Sequence, residues 1–501
     1  MKSRLRLPRI LAGTLKHLFR ALAYGLIGGV MVLIVVGVMY MNGRPDLKIW
    51  HKAKLSEEFT KTAPVKTFAG YLALEDRLFA QLDELVYGHI EPEDKTQINR
   101  YHHGSLSDAS RWPDNWNRSF ELPVENPDVG VLLIHGMSDS PYSLRSLGQK
   151  LHSEGAWIIG LRVPGHGTAP SALTEVEWQD MAAAVRLAAV HLQEKIVNRA
   201  MYIVGYSNGG ALAVQYSLAA LEDTFLPSAQ GLVLISPQIG VSKLAVLASW
   251  QERLGHLLGM HKLDWNSILP EYNPYKYGSF ALNAANQAHR LTAEIQTQIT
   301  ELTPTGSLAR FPRTLVFQSV VDATVSAPFV VSGLFDRLPA SEHELVIFDI
   351  NRSAEIEAIL SDDPSAWTGP ILDRTNLAFD LTLLTNEFEG SENVVSRRKR
   401  KRTNEITTCA LDLAWPNDIY SLSHVALPFP PTDPVYGGPD ANKNNGIQLG
   451  NLALRGERNV LQIGAADMLR LQWNPFYSYM EQRILEFTQL STADDARCLD
   501  N

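Results

Sequence analysis

Met201-Tyr202-Ile203-Val204-Gly205-Tyr206-Ser207-Asn208-Gly209-Gly210 is the stretch that decides the fold. An apolar run of strand type ends in Gly-x-Ser-x-Gly, and a helix-forming segment, 211–221, follows at once. Strand, sharp turn and helix in that order are the setting in which the motif is a nucleophile elbow. The turn leaves no room for side chains beside the serine, hence Gly205 and Gly209. The alternative is a structural turn serine; the flanking strand and helix patterns favour a nucleophile.

Working outward, short apolar runs alternate with helical stretches. Strand-type runs lie at 129–136, 157–163, 231–237, 314–319 and 344–349, with helical pieces near 141–155, 175–197 and 325–338. Continuously apolar strands between helices predict an α/β domain with a mostly parallel central sheet and helices on both faces. Sites in such sheets lie at the carboxyl ends of the strands. Two stretches interrupt the alternation. Segment 238–310 is largely helical and carries Trp250, Trp265, Tyr272, Tyr275, Tyr277 and Phe280, as a helical cap inserted between sheet strands would. Segment 351–415 holds two strand-like pieces, 377–385 and 405–413, with the basic run 397–402 between them as a loop tip.

The chain has 501 residues, 45% hydrophobic and 20% charged, enough for a sizeable core. Its first 54 residues hold ten Lys/Arg against the single acid Asp46, so the net charge of −9 leaves −18 on the remainder. An acidic body argues against a nucleic-acid partner. Residues 21–41 carry no charge and are long enough to cross a ~30 Å hydrocarbon core. This predicts a transmembrane anchor after a basic cytoplasmic segment, 1–20. Six Lys/Arg precede the span, which puts the body outside the membrane, periplasmic in a two-membrane bacterium. Gly25 and Gly29 have a spacing that could pack two anchors. Residues 42–120 read as a polar tether followed by a helical and irregular extension, with an amphipathic helix over 68–86. The main domain is expected at 121–490. Cys409 and Cys498, the only cysteines, have no metal-type spacing and could form one disulfide in an oxidising compartment. Asn117 and Asn351 begin glycosylation sequons, relevant in a eukaryotic host.

An activated serine needs a base, an acid that orients the base, and oxyanion donors. Asp322 follows the 314–319 strand and is the expected acid; a turn-capping role is its alternative, and Asp349 is the reserve candidate. His424, the only histidine after residue 343, is the expected base. The backbone N–H groups of Asn208 and Met137, one after the nucleophile and one in the loop at 135–139, are the expected oxyanion donors. His135 is read as a buried structural histidine.

With those residues named, the chain resembles the serine α/β-hydrolases, in particular the monoacylglycerol lipase, lysophospholipase and carboxylesterase branch. The resemblance rests on His135-Gly136-Met137, Pro164-Gly165-His166-Gly167, Gly205-Tyr206-Ser207-Asn208-Gly209-Gly210, Asp322 with Val325, and His424. It implies an eight-stranded sheet with a cap, no metal or cofactor, and hydrolysis of acyl esters through an acyl-enzyme. His166 is implied to be structural. One departure is the stretch of roughly seventy residues between the strand ending near 350 and His424, far longer than usual connections. The expected substrate is a small lipid-like ester; acyl transfer by the same triad, and a catalytically silent lipid- or partner-binding fold, are the competing readings.

Overall fold

The computed structural model describes residues 9–240, 260–354, 356–439, 441, 446–452, 454, 457, 460–491 and 498–499. Eleven strands form its main sheet: β1 Phe120–Leu122, β2 Val129–Ile134, β3 Ala156–Leu161, β4 Ala200–Tyr206, β5 Gly231–Ile235, β6 Arg313–Ser319, β7 Glu344–Phe348, β8 Asp380–Asn386, β9 Asn393–Lys399, β10 Ile406–Ala414 and β11 Cys498–Leu499. Their order in space is β1-β3-β2-β4-β5-β6-β7-β8-β9-β10-β11. The centre, β3 through β8, is parallel. The two edges are antiparallel. The elbow strand β4 lies between β2 and β5, so the loop after β2 and the loop after β4 emerge side by side.

Helices cover the sheet for reasons visible in their sequences. Helix α4, Trp178–Ile196, turns Ala184, Ala188 and Ala189 inward, all fully buried. Small side chains let it approach β2 closely: a Cβ added to Gly130 would lie 2.7 Å from Ile196. Helix α5, Asn208–Ala219, follows the elbow and is buried from Asn208 through Leu218. Helix α6, Leu282–Leu302, packs on α5 with Leu291, Ile295 and Ile299. Full burial of each such side chain contributes about 1.5–3 kcal/mol. Segment 282–302, read as part of the cap, is thus a covering helix leading into β6. Residues 241–259, including Trp250, lie outside the described residues.

The extra strands explain the long gap before His424. The sheet does not stop at β7: β8 adds in parallel and β9 and β10 follow as an antiparallel ladder. The sheet therefore has eleven strands where eight were implied. The chain then returns to the end of β7, where Asn351 N donates to Tyr420 O at 2.7 Å and Asn351 Nδ2 to Ile419 O at 2.9 Å. Half of the basic run is strand rather than loop tip. Lys399 is buried and its Nζ donates to Leu372 O, while Arg398 pairs with Asp380 at 2.9 Å. Asn117 and Asn351 are buried, which closes both sequons in the folded chain.

Residues 42–65 are docked rather than a tether: Trp50, Leu55 and Phe59 are buried at a four- to five-residue spacing. Helix α2, Phe68–Leu85, coincides with the amphipathic stretch and is N-capped by Thr67, whose Oγ1 accepts from Gly70 N. Tyr71 on α2 donates to Arg162 O at 2.7 Å. Arg162, fully buried, pairs with Glu75 at 2.7 Å and Glu58 at 3.0 Å.

The expected transmembrane anchor is corrected. Among the described residues no helix is long and apolar enough to cross a membrane. Segment 21–41 belongs to a longer helix, α1, Arg9–Asn42. The side chains at 30, 33, 34 and 41 lie outside the described residues. Cys409 is disulfide-bonded, and the chain's other cysteine, Cys498, is its register partner on β11.

Candidate active site

Ser207 sits between β4 and α5 at φ 53° and ψ −116°, a left-handed setting costing about 1–3 kcal/mol for a non-glycine residue. Four backbone bonds hold it there: Ser207 N donates to Ile235 O at 2.9 Å, and Gly210 N, Gln238 N and Ala211 N donate to Ser207 O at 3.0, 3.0 and 3.3 Å. The flanking glycines are required by space. A Cβ on Gly205 would lie 2.4 Å from Gly209 O, and one on Gly209 would lie 2.0 Å from Ile134 O. The hydroxyl of Ser207 has no intramolecular partner among the described residues.

The loop after β2 lies against the elbow: a Cβ on Gly136 would be 3.1 Å from Ser207 Cβ. Ser138 holds φ 62°, and its carbonyl accepts from Tyr277 N at 2.9 Å. Beside it Lys276 Nζ donates to both oxygens of Asp139, at 3.2 and 3.3 Å. The backbone N–H groups of Met137 and Asn208 meet no acceptor among the described residues, which leaves two donors beside the serine.

Asp322 and His424 are brought together. Asp322 follows β6, and His424 opens a short helical turn on the returning segment. His424 Nδ1 donates to Asp322 Oδ2 at 2.8 Å, with both side chains buried. Asp322 Oδ1 accepts from Thr324 N at 2.8 Å and Val325 N at 3.0 Å. Gln318 Nε2 adds a fourth bond, to Oδ2, at 2.9 Å. Burial alone would raise the Asp322 pKa. The charge and hydrogen bond of His424, with the two backbone donors, outweigh burial and hold it below 3.8. His424 Nε2 has no partner among the described residues. The pair stands beside the elbow: the Tyr206 and His424 rings are 5.4 Å apart, and Tyr206 OH donates to His424 O at 3.5 Å.

The other candidates are committed elsewhere. Asp349 accepts from Ile350 N, Thr385 Oγ1 and Arg352 and does not bond His424. His135 donates Nδ1–H to Gly136 O and accepts at Nε2 from Val163 N. His166 Nδ1 bonds Pro164 O. Burial lowers the pKa of both, with His166 adding to the effect on His135; His166 falls to about 4. They remain neutral and structural. Two aromatic residues of 260–281 brace neighbouring loops. Tyr275 stacks on Tyr142 at 3.8 Å, and Tyr277 OH bonds Thr168 N at 2.7 Å. A cavity of about 530 Å³ opens between the docked extension and 261–265, lined by His51, Phe59, Val176 and Trp265, apart from Ser207. No group of three or more His, Cys, Asp or Glu among the described residues is arranged to hold a metal. Gln318 and the Lys276–Asp139 pair carry no sequence signal: an amide in a strand and a lysine in an insertion have no diagnostic spacing.

Residues 125–350, under half of the chain, match the family model described as serine aminopeptidase, S33. A thermostable monoacylglycerol lipase from Bacillus sp. (strain H-257) is 31% identical over 91 residues, 18% of this chain and 36% of the relative. The chain thus spans about a third of the length of that curated relative. A solved structure from a study of two metagenome-derived lipolytic enzymes, LipS and LipT, aligns with a TM-score of 0.36 at 20% identity, over 46% of this chain and 87% of the other. A soluble variant of monoglyceride lipase from Saccharomyces cerevisiae aligns with a TM-score of 0.35 at 14% identity, over 46% and 82%.

Proposed function

We propose that the chain is a serine α/β-hydrolase that cleaves carboxylic esters through a Ser207–His424–Asp322 triad. The observation that carries this reading is the 2.8 Å Asp322–His424 bond beside the strained Ser207 elbow. His424 takes the Ser207 proton as Oγ attacks the ester carbonyl. Met137 N–H and Asn208 N–H receive the charge that develops on the carbonyl oxygen. Collapse expels the alcohol, which leaves with the proton from His424. Water then repeats the sequence on the acyl-serine. Asp322, ionised and saturated with donors, fixes the ring and offsets the imidazolium charge.

The substrate class follows from weaker support. The curated relative is named a monoacylglycerol lipase, and Met137, next to Gly136 on the loop against the elbow, is a buried apolar side chain. Esters with an apolar acyl or alcohol part, such as monoacylglycerols or lysophospholipids, are the proposed substrates.

The test is a hydrolysis screen of p-nitrophenyl esters and monoacylglycerols of graded length, with an aminoacyl amide as the peptidase arm and added alcohol as the transfer arm. Ser207→Ala is expected to lose on the order of 10⁴- to 10⁶-fold in kcat/KM. It should also lose labelling by a fluorophosphonate. Undiminished turnover in that variant, or an intact protein that fails to label, would sink the triad.

A further inference from the structure

We propose that Gln318 is a positioning residue for the Asp322–His424 pair, its amide orienting the carboxylate and drawing off part of its charge. The proposal rests on the triad reading above. Gln318 is the penultimate residue of β6 and is fully buried. Its Nε2 donates to Asp322 Oδ2, the same oxygen that receives His424 Nδ1. With Thr324 N and Val325 N on Oδ1, one buried carboxylate accepts four hydrogen bonds, two on each oxygen. The amide orientation is forced, since the reverse would set Oε1 against a carboxylate oxygen. Oε1 itself is buried without a partner among the described residues.

A side chain that only filled space at this position would be apolar. A buried amide with one end unpaired is unfavourable unless the bond at its other end matters. The next residue supplies a second tie. Ser319 Oγ donates to Leu422 O at 2.8 Å, two residues before His424. The tip of β6 therefore holds the acid with one side chain and the base's loop with the next.

The chemistry gives the sign. A hydrogen bond donated to Oδ2 spreads the carboxylate charge away from the ring. Without it, the fuller charge faces His424 and favours the imidazolium form, which cannot accept the Ser207 proton. The acid limb of kcat/KM must then move to higher pH. The other groups near the pair stay as they are. They are Tyr206 from β4, Asp139 held by Lys276 on the oxyanion loop, Tyr436, and Arg470, whose Nη2 donates to Thr324 Oγ1 at 3.0 Å.

The experiment is the pH profile of kcat/KM on a p-nitrophenyl ester for the full chain, Gln318→Met, Gln318→Glu and Ser207→Ala. Fluorophosphonate labelling above the limb counts competent sites, so rates are compared per folded site. Gln318→Met should move the limb up by about half to one pH unit, a three- to tenfold loss on the limb. KM should be unchanged. Gln318→Glu, whose buried carboxyl stays protonated beside Asp322 and can donate O–H to Oδ2, should hold the limb closer to that of the unaltered chain. A limb that stays in place in Gln318→Met, whether or not kcat falls uniformly, overturns the proposal and makes Gln318 a packing residue. If turnover survives Ser207→Ala, the triad reading fails instead, and the two failures are told apart.

Discussion

The elbow concentrates several costs on one residue. Ser207 holds a left-handed backbone, and both neighbouring glycines meet carbonyl oxygens where a Cβ would stand. Gly209→Ala would force its methyl into Ile134 O and part β2 from the elbow. The expected outcome is a loss of several kcal/mol, measured as a lower thermal midpoint, together with loss of fluorophosphonate labelling. A fully labelled, equally stable alanine variant would mean that the turn relaxes more easily than its packing indicates. Asp322 offers a gentler test. Asp322→Asn keeps shape and the backbone donors but loses the charge and turns an amide toward His424. A fall of about 10³- to 10⁴-fold in kcat is expected, with KM and thermal midpoint near wild type. A KM effect without a kcat effect would remove Asp322 from the triad.

At the scale of elements, the molecule shows how two hydrogen-bonded side chains can stand far apart along the chain. Strands β8, β9 and β10 leave the end of β7 and return to Asn351, so His424 reaches Asp322 although the intervening chain is long. The Asp322–His424 contact was legible because the aspartate follows a strand end and one histidine remains downstream. The middle inserted strand, β9, was not, because Arg397, Arg398 and Lys399 read as a solvated tip. Arg398 is met by Asp380 and Lys399 by Leu372 O, Arg397 is exposed, and Val394 and Val395 supply the buried face. The docked extension was equally hidden, since the buried cation that helps to hold it on the body has no diagnostic spacing. Arg162 ties Glu58 and Glu75 and also donates to His166 O at 3.0 Å. Burial raises the Glu75 pKa, and Arg162 opposes that. Arg162→Met would leave buried carboxylates unpaired, a loss of about 3–5 kcal/mol in urea unfolding. A change under about 1 kcal/mol would mean that the extension is held by Trp50, Phe59 and Tyr71 packing alone.

At the scale of the whole molecule, the sheet and its covering layers exclude water from several histidines at once, and this sets the acid stability. His51, His135, His166 and His343 are buried, and burial is the main cause of a lowered pKa in each. Lys52 and Lys48 add to it at His51, His166 at His135, and Lys401 at His343. The values fall to about 3 for His51 and about 4 for His166 and His343. An unfolded chain protonates these side chains below about pH 6.5, whereas the folded chain keeps them neutral. The unfolded state then binds more protons, so stability is lost as pH falls from about 6.5 toward 4. Each residue contributes a slope of up to about 1.4 kcal/mol per pH unit in that window. Asp322 acts lower down: its depressed pKa adds stability that persists until pH falls below the ordinary carboxylate range. General charge repulsion has the opposite sign, because a chain of net charge −9 is relieved on mild acidification. The thermal midpoint should therefore be flat from pH 8 to 7 and fall steeply between about 6 and 4.5. His343→Phe, away from the elbow, should flatten the slope. A midpoint that holds or rises on acidification would show that the four rings take up protons in the folded state.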